Sequence, residues 1–156
     1  MTIEGRIAEA QRGIIDKMIE LEEAIAALYE WYATFCPWEP EFWRQTAREE
    51  RDHATTLKGL HRFLDQGILF QNIGRFDVAL MQAMIEEVRG LVGKRCPMAA
   101  ALNAAVKIES SLLDSRFYEV VTSDSRDFQL VAEFLSESTR AHAQSILQRR
   151  TLEHPI

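Results

Sequence analysis

Residues 49–60, EERDHATTLKGL, place Glu50 and His53 three positions apart in a segment with helical spacing. Residues three apart on an α-helix lie on the same face, so this carboxylate and this imidazole project in the same direction. A Glu-x-x-His pair is typical of metal ligands that point into the middle of a helical bundle. The pair is a weak signal alone, and its meaning depends on the other helices.

The overall composition predicts one globular domain covering residues 1–156. Hydrophobic residues make up 47% of the chain and charged residues 27%, which is typical of a globular protein rather than a disordered or membrane one. No apolar run reaches the ~18 residues that span a bilayer, and the N-terminal residues include acids where a signal peptide is apolar. We therefore expect a cytoplasmic protein with no membrane partner.

The charge and the cysteines exclude further classes of function. The net charge is -6 and no long basic run offsets it, so nucleic acid is not an expected partner. The two cysteines, Cys36 and Cys96, belong to no C-x-x-C pair. They therefore predict neither a zinc ribbon nor a rubredoxin-type iron site, and we interpret both as buried thiols.

The helical spacing of apolar residues and the positions of proline and glycine predict an all-α fold. Four long helices are expected at about 7–35, 39–65, 97–121 and 127–150, with a shorter helix at about 77–92. Pro37 and Pro40 separate the first two helices, and Gly67 suits the left-handed residue that follows a helix end. Asp124 or Ser125 can cap the last helix. Alternation typical of a β-strand is absent from the sequence.

Polar residues interrupt the apolar stripe of every long helix at mid-length. An ionised carboxylate that is buried without a partner costs several kcal/mol, and converging carboxylates also repel one another. A pair of divalent metal ions would compensate, because carboxylates and imidazoles are ligands for iron, manganese and zinc. The interrupting residues with metal-ligand chemistry are Glu22, Glu50, His53, Glu109 and His142.

Each residue also has an ordinary explanation when it is taken singly. Glu22 or its neighbour Glu23 could lie at the rim of the helix face, so either one is a candidate ligand. Either histidine alone is more often a hydrogen-bonded core residue than a ligand. Glu109 has Lys107 and Arg116 nearby as ion-pair partners. All five residues lie at the same depth on four helices. One metal site accounts for this better than five separate explanations do.

These residues resemble the ferritin-like superfamily, most closely its rubrerythrin branch. Glu22, Tyr29 seven positions later, Ala33 and then EERDHATTL are similar to the rubrerythrin pattern, and the later segment ILFQNI is similar to ferritin heavy chains. The resemblance covers nearly the whole chain. It implies a ferritin-like four-helix bundle with a long crossover that carries the short extra helix.

The resemblance also implies a set of metal ligands. In such proteins each half of the bundle supplies one Glu and one Glu-x-x-His pair around two metal ions. The first half here offers all three ligands and the second half offers two, so the implied set is Glu22, Glu50, His53, Glu109 and His142.

Thr139 is the departure from the family pattern. It stands three positions before His142, where the second Glu would be, and no other nearby acid shares the face of that histidine. The absent Glu would ordinarily bridge the two metals. Three outcomes stay open: two metals with water or hydroxide in the gap, one metal, or a vestigial site.

The resemblance implies a di-iron carboxylate protein with redox chemistry on peroxide or dioxygen, or with a role in iron handling. Iron is the expected metal, with manganese or zinc as alternatives. Tyr29 would support catalysis by orienting a carboxylate or donating to a bound oxygen species. Two cysteines are too few for a rubredoxin module, so a redox function would need an external electron donor. A homodimer is expected from the family.

A second hypothesis is a non-enzymatic helical dimer whose metal site has decayed. Three tryptophans near the CPWEP turn, Trp31, Trp38 and Trp43, offer aromatic surface for an interface. Ordinary packing in the core and the loop is the preferred explanation for them. Metal content discriminates between the two hypotheses.

Overall fold

The computed structural model describes residues 1–36, 38–71, 77–95, 97–114 and 125–153. These residues form six helices and contain no β-strand, which confirms the all-α prediction. The helices are α1 (Ile3–Phe35), α2 (Pro40–Lys58), α3 (His61–Asp65), α4 (Val78–Leu91), α5 (Met98–Asp114) and α6 (Arg126–Glu153). None of these helices is both long and apolar enough to cross a membrane.

Helix α1 begins four residues earlier than predicted, because Thr2 caps it. The Thr2 hydroxyl accepts a hydrogen bond from the Gly5 amide at 3.0 Å, which satisfies one of the free N–H groups at the helix start. The helix ends at Phe35 as predicted. Pro37, the residue expected to stop it, lies outside the described residues. Cys36 is buried, as predicted, whereas Cys96 is not among the described residues.

The second long helix is interrupted, so the prediction of one continuous helix over 39–65 is wrong. Helix α2 stops at Lys58, and the Leu60 amide bonds to the Leu57 carbonyl at 2.9 Å, which is the tighter three-residue spacing. Gly59 occupies the turn, and glycine is a weak helix former. The short α3 follows. Gly67, with a φ of 80°, then takes the left-handed conformation predicted for it.

The remaining helix boundaries agree with the sequence where the structure describes them. Asp77 caps α4 by accepting a hydrogen bond from the Leu80 amide at 3.0 Å. Ser125 accepts one from the Phe128 amide at 3.4 Å at the start of α6. The predicted extension of α5 from 115 to 121 and the alternative cap at 124 lie outside the described residues.

One apolar core joins the helices. Helix α1 packs along α2 and α4, α5 packs along α6, and α2 also contacts α6. An aromatic group fills the region where α1 and α2 meet, with the fully buried Trp43 ring 5.4 Å from Tyr29 and 4.9 Å from Tyr32. Trp31 and Trp38 are partly buried and pack against the same core, as preferred from the sequence. This packing brings the mid-length positions of α1, α2, α5 and α6 together.

The side chain of Gln11 fixes the connection that follows α3. Its amide nitrogen donates to the Phe70 carbonyl at 2.8 Å, and its amide oxygen accepts from the Phe70 amide at 2.9 Å. The Phe70 ring is thereby held against Phe63 and Phe128. A buried loop residue would otherwise leave both its backbone groups without partners.

Replacing Gln11 with leucine should destabilise the fold, because it keeps the side-chain volume but leaves the Phe70 amide and carbonyl unpaired. We expect a loss of roughly 2 kcal/mol or more in the free energy of unfolding, measured by chemical denaturation. The control is Gln144→Leu at an exposed position of α6, where a change within about 0.5 kcal/mol is expected. Equal stability of the two variants would contradict this role of Gln11.

Candidate metal centre

All five predicted ligand residues meet in the interior. Their exposed fractions are 1% for Glu22, Glu50 and Glu109, 2% for His53 and 3% for His142. The four long helices thus each contribute at least one buried polar side chain to the same place. Burial of carboxylates to this degree is rare in proteins unless they are paired or bind a cation.

The cluster consists of two groups of three residues that share Glu50. One group is Glu22, Glu50 and His53, and the other is Glu50, Glu109 and His142. Within each group, one ligand atom per residue lies within 4.8 Å of the others. Metal–ligand bonds of about 2.0–2.2 Å place donor atoms up to roughly 4.4 Å apart, so small side-chain adjustments would close each group around an ion.

Glu50 lies between the two histidines. Its Oε2 atom is 3.3 Å from His53 Nδ1, and its Oε1 atom is 2.5 Å from His142 Nδ1. Each carboxylate oxygen therefore faces a different group. This placement fits a carboxylate that bridges two cations.

Glu22 and Glu109 complete the two groups. Glu22 Oε2 lies 4.0 Å from His53 Nδ1, and Glu109 Oε1 lies 3.5 Å from His142 Nδ1. Of Glu22 and Glu23, Glu22 lies in the cluster, whereas Glu23 is on the surface and pairs with Lys58 at 2.8 Å. Glu22 alone of the two enters the cluster.

Glu109 does not pair with the cations near it in sequence that the structure describes. Lys107 points to the surface and pairs with Glu87 at 2.8 Å, while Arg116 lies outside the described residues. Among the described residues, no Lys or Arg side chain pairs with Glu50 or Glu109. Lysine and arginine side chains of the described residues therefore do not neutralise Glu50 and Glu109.

Tyr29 contacts the cluster through Glu109 rather than through Glu22. Its hydroxyl donates a hydrogen bond to Glu109 Oε1 at 2.8 Å, and its ring meets the His142 ring edge-on with the centroids 6.2 Å apart. Burial raises the pKa of Tyr29 well above its usual range, and the nearby acids Glu109 and Glu50 raise it further. The phenol therefore stays protonated and acts as a hydrogen-bond donor.

Each histidine turns its Nδ1 atom toward the acids and its Nε2 atom outward. His53 Nε2 lies 2.6 Å from Ser138 Oγ, and His142 Nε2 lies 3.6 Å from Glu49 Oε2. A tautomer with the proton on Nε2 leaves Nδ1 free for a cation, and a polar group next to Nε2 favours that tautomer. Both rings thus present Nδ1 to the acids, where a cation would lie.

Ser138 and Glu49 are the site residues that the sequence pattern did not reveal. Glu49 precedes Glu50 on α2 and contacts the histidine of α6, whereas Ser138 precedes Thr139 on α6 and contacts the histidine of α2. The contacts therefore cross between the helices. The signal in the sequence is a polar residue four positions before each histidine, in EERDH and STRAH.

Burial changes the protonation of the acids in the absence of a cation. It raises the pKa of Glu50 to about 7, and it raises that of Glu109 to about 8, with the negative charge of Glu50 adding to the effect. Carboxyl groups with such pKa values hold protons at pH values where exposed acids have lost them. A divalent cation would replace those protons with a stronger compensating charge.

The fold and the cluster together define an all-α protein with a buried glutamate–histidine site that could hold a metal ion. Comparisons with protein-family models, with curated proteins and with solved structures found no match to this chain.

The stability of the metal-free protein should fall as pH rises. Between about pH 4.5 and 8 the folded state retains protons on Glu50 and Glu109 that the unfolded chain has released, so raising the pH favours unfolding. Each unit of pKa difference corresponds to about 1.4 kcal/mol, so a decline of several kcal/mol is expected between pH 5 and 8 in the presence of chelator.

Chemical denaturation at several pH values checks this expectation. The double variant Glu50→Gln, Glu109→Gln should flatten the decline, because neither amide titrates. The control Glu133→Gln, at an exposed position of α6, should keep the slope of the unmodified protein. The same slope in all three proteins would show that the buried acids do not titrate as described.

A double-mutant cycle tests the hydrogen bond between Tyr29 and Glu109. Tyr29→Phe should lower the free energy of unfolding by about 1–3 kcal/mol, because Glu109 Oε1 loses its donor. In a Glu109→Leu background the same change should have a much smaller effect, giving a coupling energy of at least about 1 kcal/mol by chemical denaturation. Additive effects of the two substitutions would contradict the contact.

Proposed function

We propose that this chain is a ferritin-like metal-carboxylate protein of the rubrerythrin type, with two transition-metal ions in the buried cluster. The observation that carries the proposal is the position of Glu50, whose two carboxylate oxygens face two histidines in two separate ligand groups. A single bridging carboxylate between two nitrogen ligands is an arrangement suited to a pair of ions.

The donor set fits such ions. Carboxylate oxygens mixed with imidazole nitrogens suit iron, manganese and zinc, whereas calcium and magnesium prefer oxygen alone. The outer oxygen of Glu109 is buried and has no hydrogen-bond partner among the described residues. A buried, unpartnered carboxylate oxygen is costly to the fold, and coordination of a cation would compensate for it.

Iron is the metal we propose, with redox chemistry on peroxide or dioxygen, or iron handling, as the function. Bound iron would supply the one-electron ferrous–ferric couple that such chemistry requires. The protein's own residues would provide the surroundings of the iron. Glu22, Glu50 and Glu109 would balance its positive charge, and the burial of the cluster would exclude bulk water. Tyr29 holds Glu109 in place and keeps a proton next to the site.

The histidines and their outer contacts would set the geometry of the site. Ser138 Oγ, 2.6 Å from His53 Nε2, would hold that ring with Nδ1 facing inward, and Glu49 Oε2 lies 3.6 Å from His142 Nε2 on the outer side of the second ring. Electrons would come from an external donor, since two cysteines are too few to build a rubredoxin module. We retain the homodimer as a prediction, testable by sedimentation.

The alternative is a helical bundle in which the site no longer binds metal. It is favoured by the raised pKa values of Glu50 and Glu109, because protonated carboxyl groups can be buried without a cation. In that case the cluster would be held by hydrogen bonds among carboxylic acids, histidines and Tyr29. Metal content separates the two functions directly.

The shared position of Glu50 leads to a specific pattern of metal stoichiometry. Reconstitution with ferrous iron without oxygen should give two ions per chain by elemental analysis. Glu50→Ala should lose both ions, because both ligand groups include this residue. Glu22→Ala and Glu109→Ala should each lose one, since each belongs to one group.

Glu23→Ala is the matched control, because Glu23 adjoins Glu22 but lies on the surface, and it should retain both ions. Chelation should lower the melting temperature of the unmodified protein, since an ion present at 100 times its dissociation constant stabilises the folded state by about 2.7 kcal/mol. No bound iron, manganese or zinc after reconstitution, together with an unchanged melting temperature, would support the metal-free alternative.

A further inference from the structure

The α6 motif lacks both glutamates of the α2 motif. Helix α2 carries EERDH, ending at His53, and α6 carries STRAH, ending at His142. Ser138 and Thr139 thus stand where α2 has Glu49 and Glu50. Two hydroxyl groups occupy the positions of two carboxyl groups.

The two hydroxyl groups differ in their contacts. Ser138 Oγ lies 2.6 Å from His53 Nε2, so its hydrogen-bonding capacity is used. Thr139 is 3% exposed, and its Oγ1 atom is buried with no hydrogen-bond partner among the described residues. Thr139 also lies three positions before His142, so it shares the face of α6 that carries this histidine.

The behaviour of Thr139 is unusual for this protein. Threonines within helices commonly donate to the carbonyl group four residues earlier, which satisfies the hydroxyl. Every other threonine within the described helices does so, at 2.7–3.0 Å, and these are Thr34, Thr46, Thr55, Thr56 and Thr151. A buried hydroxyl without a partner destabilises the fold, so a ligand at Thr139 would recover that free energy.

The charges of the cluster indicate what kind of ligand this is. The buried acids Glu22, Glu50 and Glu109 carry three negative charges when they coordinate metal, and two divalent ions carry four positive charges. The nearby Glu49 side chain is 41% exposed, so solvent screens its charge. One positive charge is left over in a site that excludes water, where an uncompensated charge is costly. A carboxylate at position 139 would cancel it, but threonine has no charge to offer.

We propose that, when two divalent metal ions are bound, one small, singly charged anion binds beside Thr139 and accepts a hydrogen bond from the Thr139 hydroxyl. The inference rests on the proposed function, since the surplus charge exists only with two ions present. Azide and formate belong to this chemical class. The site would therefore acquire from solution the charge that a fourth carboxylate would provide.

The test uses cobalt(II) as the metal and azide as the anion, because the visible spectrum of bound cobalt responds to a change of ligands. The metal content is first measured by elemental analysis. Azide is then titrated, and its effect on the spectrum and on the melting temperature is recorded. The unmodified protein should bind two cobalt ions and respond saturably to azide, with a rise in melting temperature.

Three variants isolate the hydroxyl group. Thr139→Val keeps the shape of the side chain and should weaken azide binding by about 10- to 100-fold, since a hydrogen bond to a charged group is lost. Thr139→Glu should retain the metal and lose the azide response, because its own carboxylate cancels the charge. Thr46→Val is the control, since the Thr46 hydroxyl already bonds to the Phe42 carbonyl, and it should bind azide normally.

The outcomes separate the two proposals. Two bound cobalt ions with no azide response, or an unchanged azide affinity in Thr139→Val, would overturn the anion site and leave the proposed function standing. One bound ion per chain would also overturn the anion site, because no positive charge is then left over. Failure to bind cobalt or iron at all would overturn the proposed function and the anion site together.

Discussion

The structure depends on the balance of charge among three buried glutamates and the groups that face them. Glu22, Glu50 and Glu109 come from three different helices, and each is 1% exposed. Their mutual repulsion and the loss of hydration oppose folding, unless protons or cations offset both effects. The raised pKa values of Glu50 and Glu109 correspond to compensation by protons. The placement of the histidines suits compensation by cations.

The packing of the helices explains why the cluster forms at a single depth. Helices α1 and α2 pack along each other around Trp43, and α5 and α6 pack along each other, so each pair presents its polar residues to the other. The Tyr29–Glu109 hydrogen bond and the contact between Ser138 and His53 then cross between the pairs. The cluster thus links the two pairs of helices.

Helical periodicity was sufficient to predict which residues enter the interior, because polar residues within an apolar stripe must be buried wherever the helix packs. Glu22, His53 and His142 were predicted in this way, and all are buried. The break after Lys58 was missed because glycine within a helix is tolerated in many contexts, and tertiary packing decides the outcome. The contacts made by Ser138 and by Tyr29 join different helices, so the spacing within one helix does not specify their partners.

The central claim is that the buried cluster binds two metal ions. Crystallography with anomalous diffraction, recorded on both sides of the iron absorption edge, tests it most directly. The account predicts two peaks of anomalous density, one between Glu22, Glu50 and His53 and the other between Glu50, Glu109 and His142, with Glu50 contacting both. An interior without metal in crystals of iron-reconstituted protein, with the same acids hydrogen-bonded to one another, would contradict it.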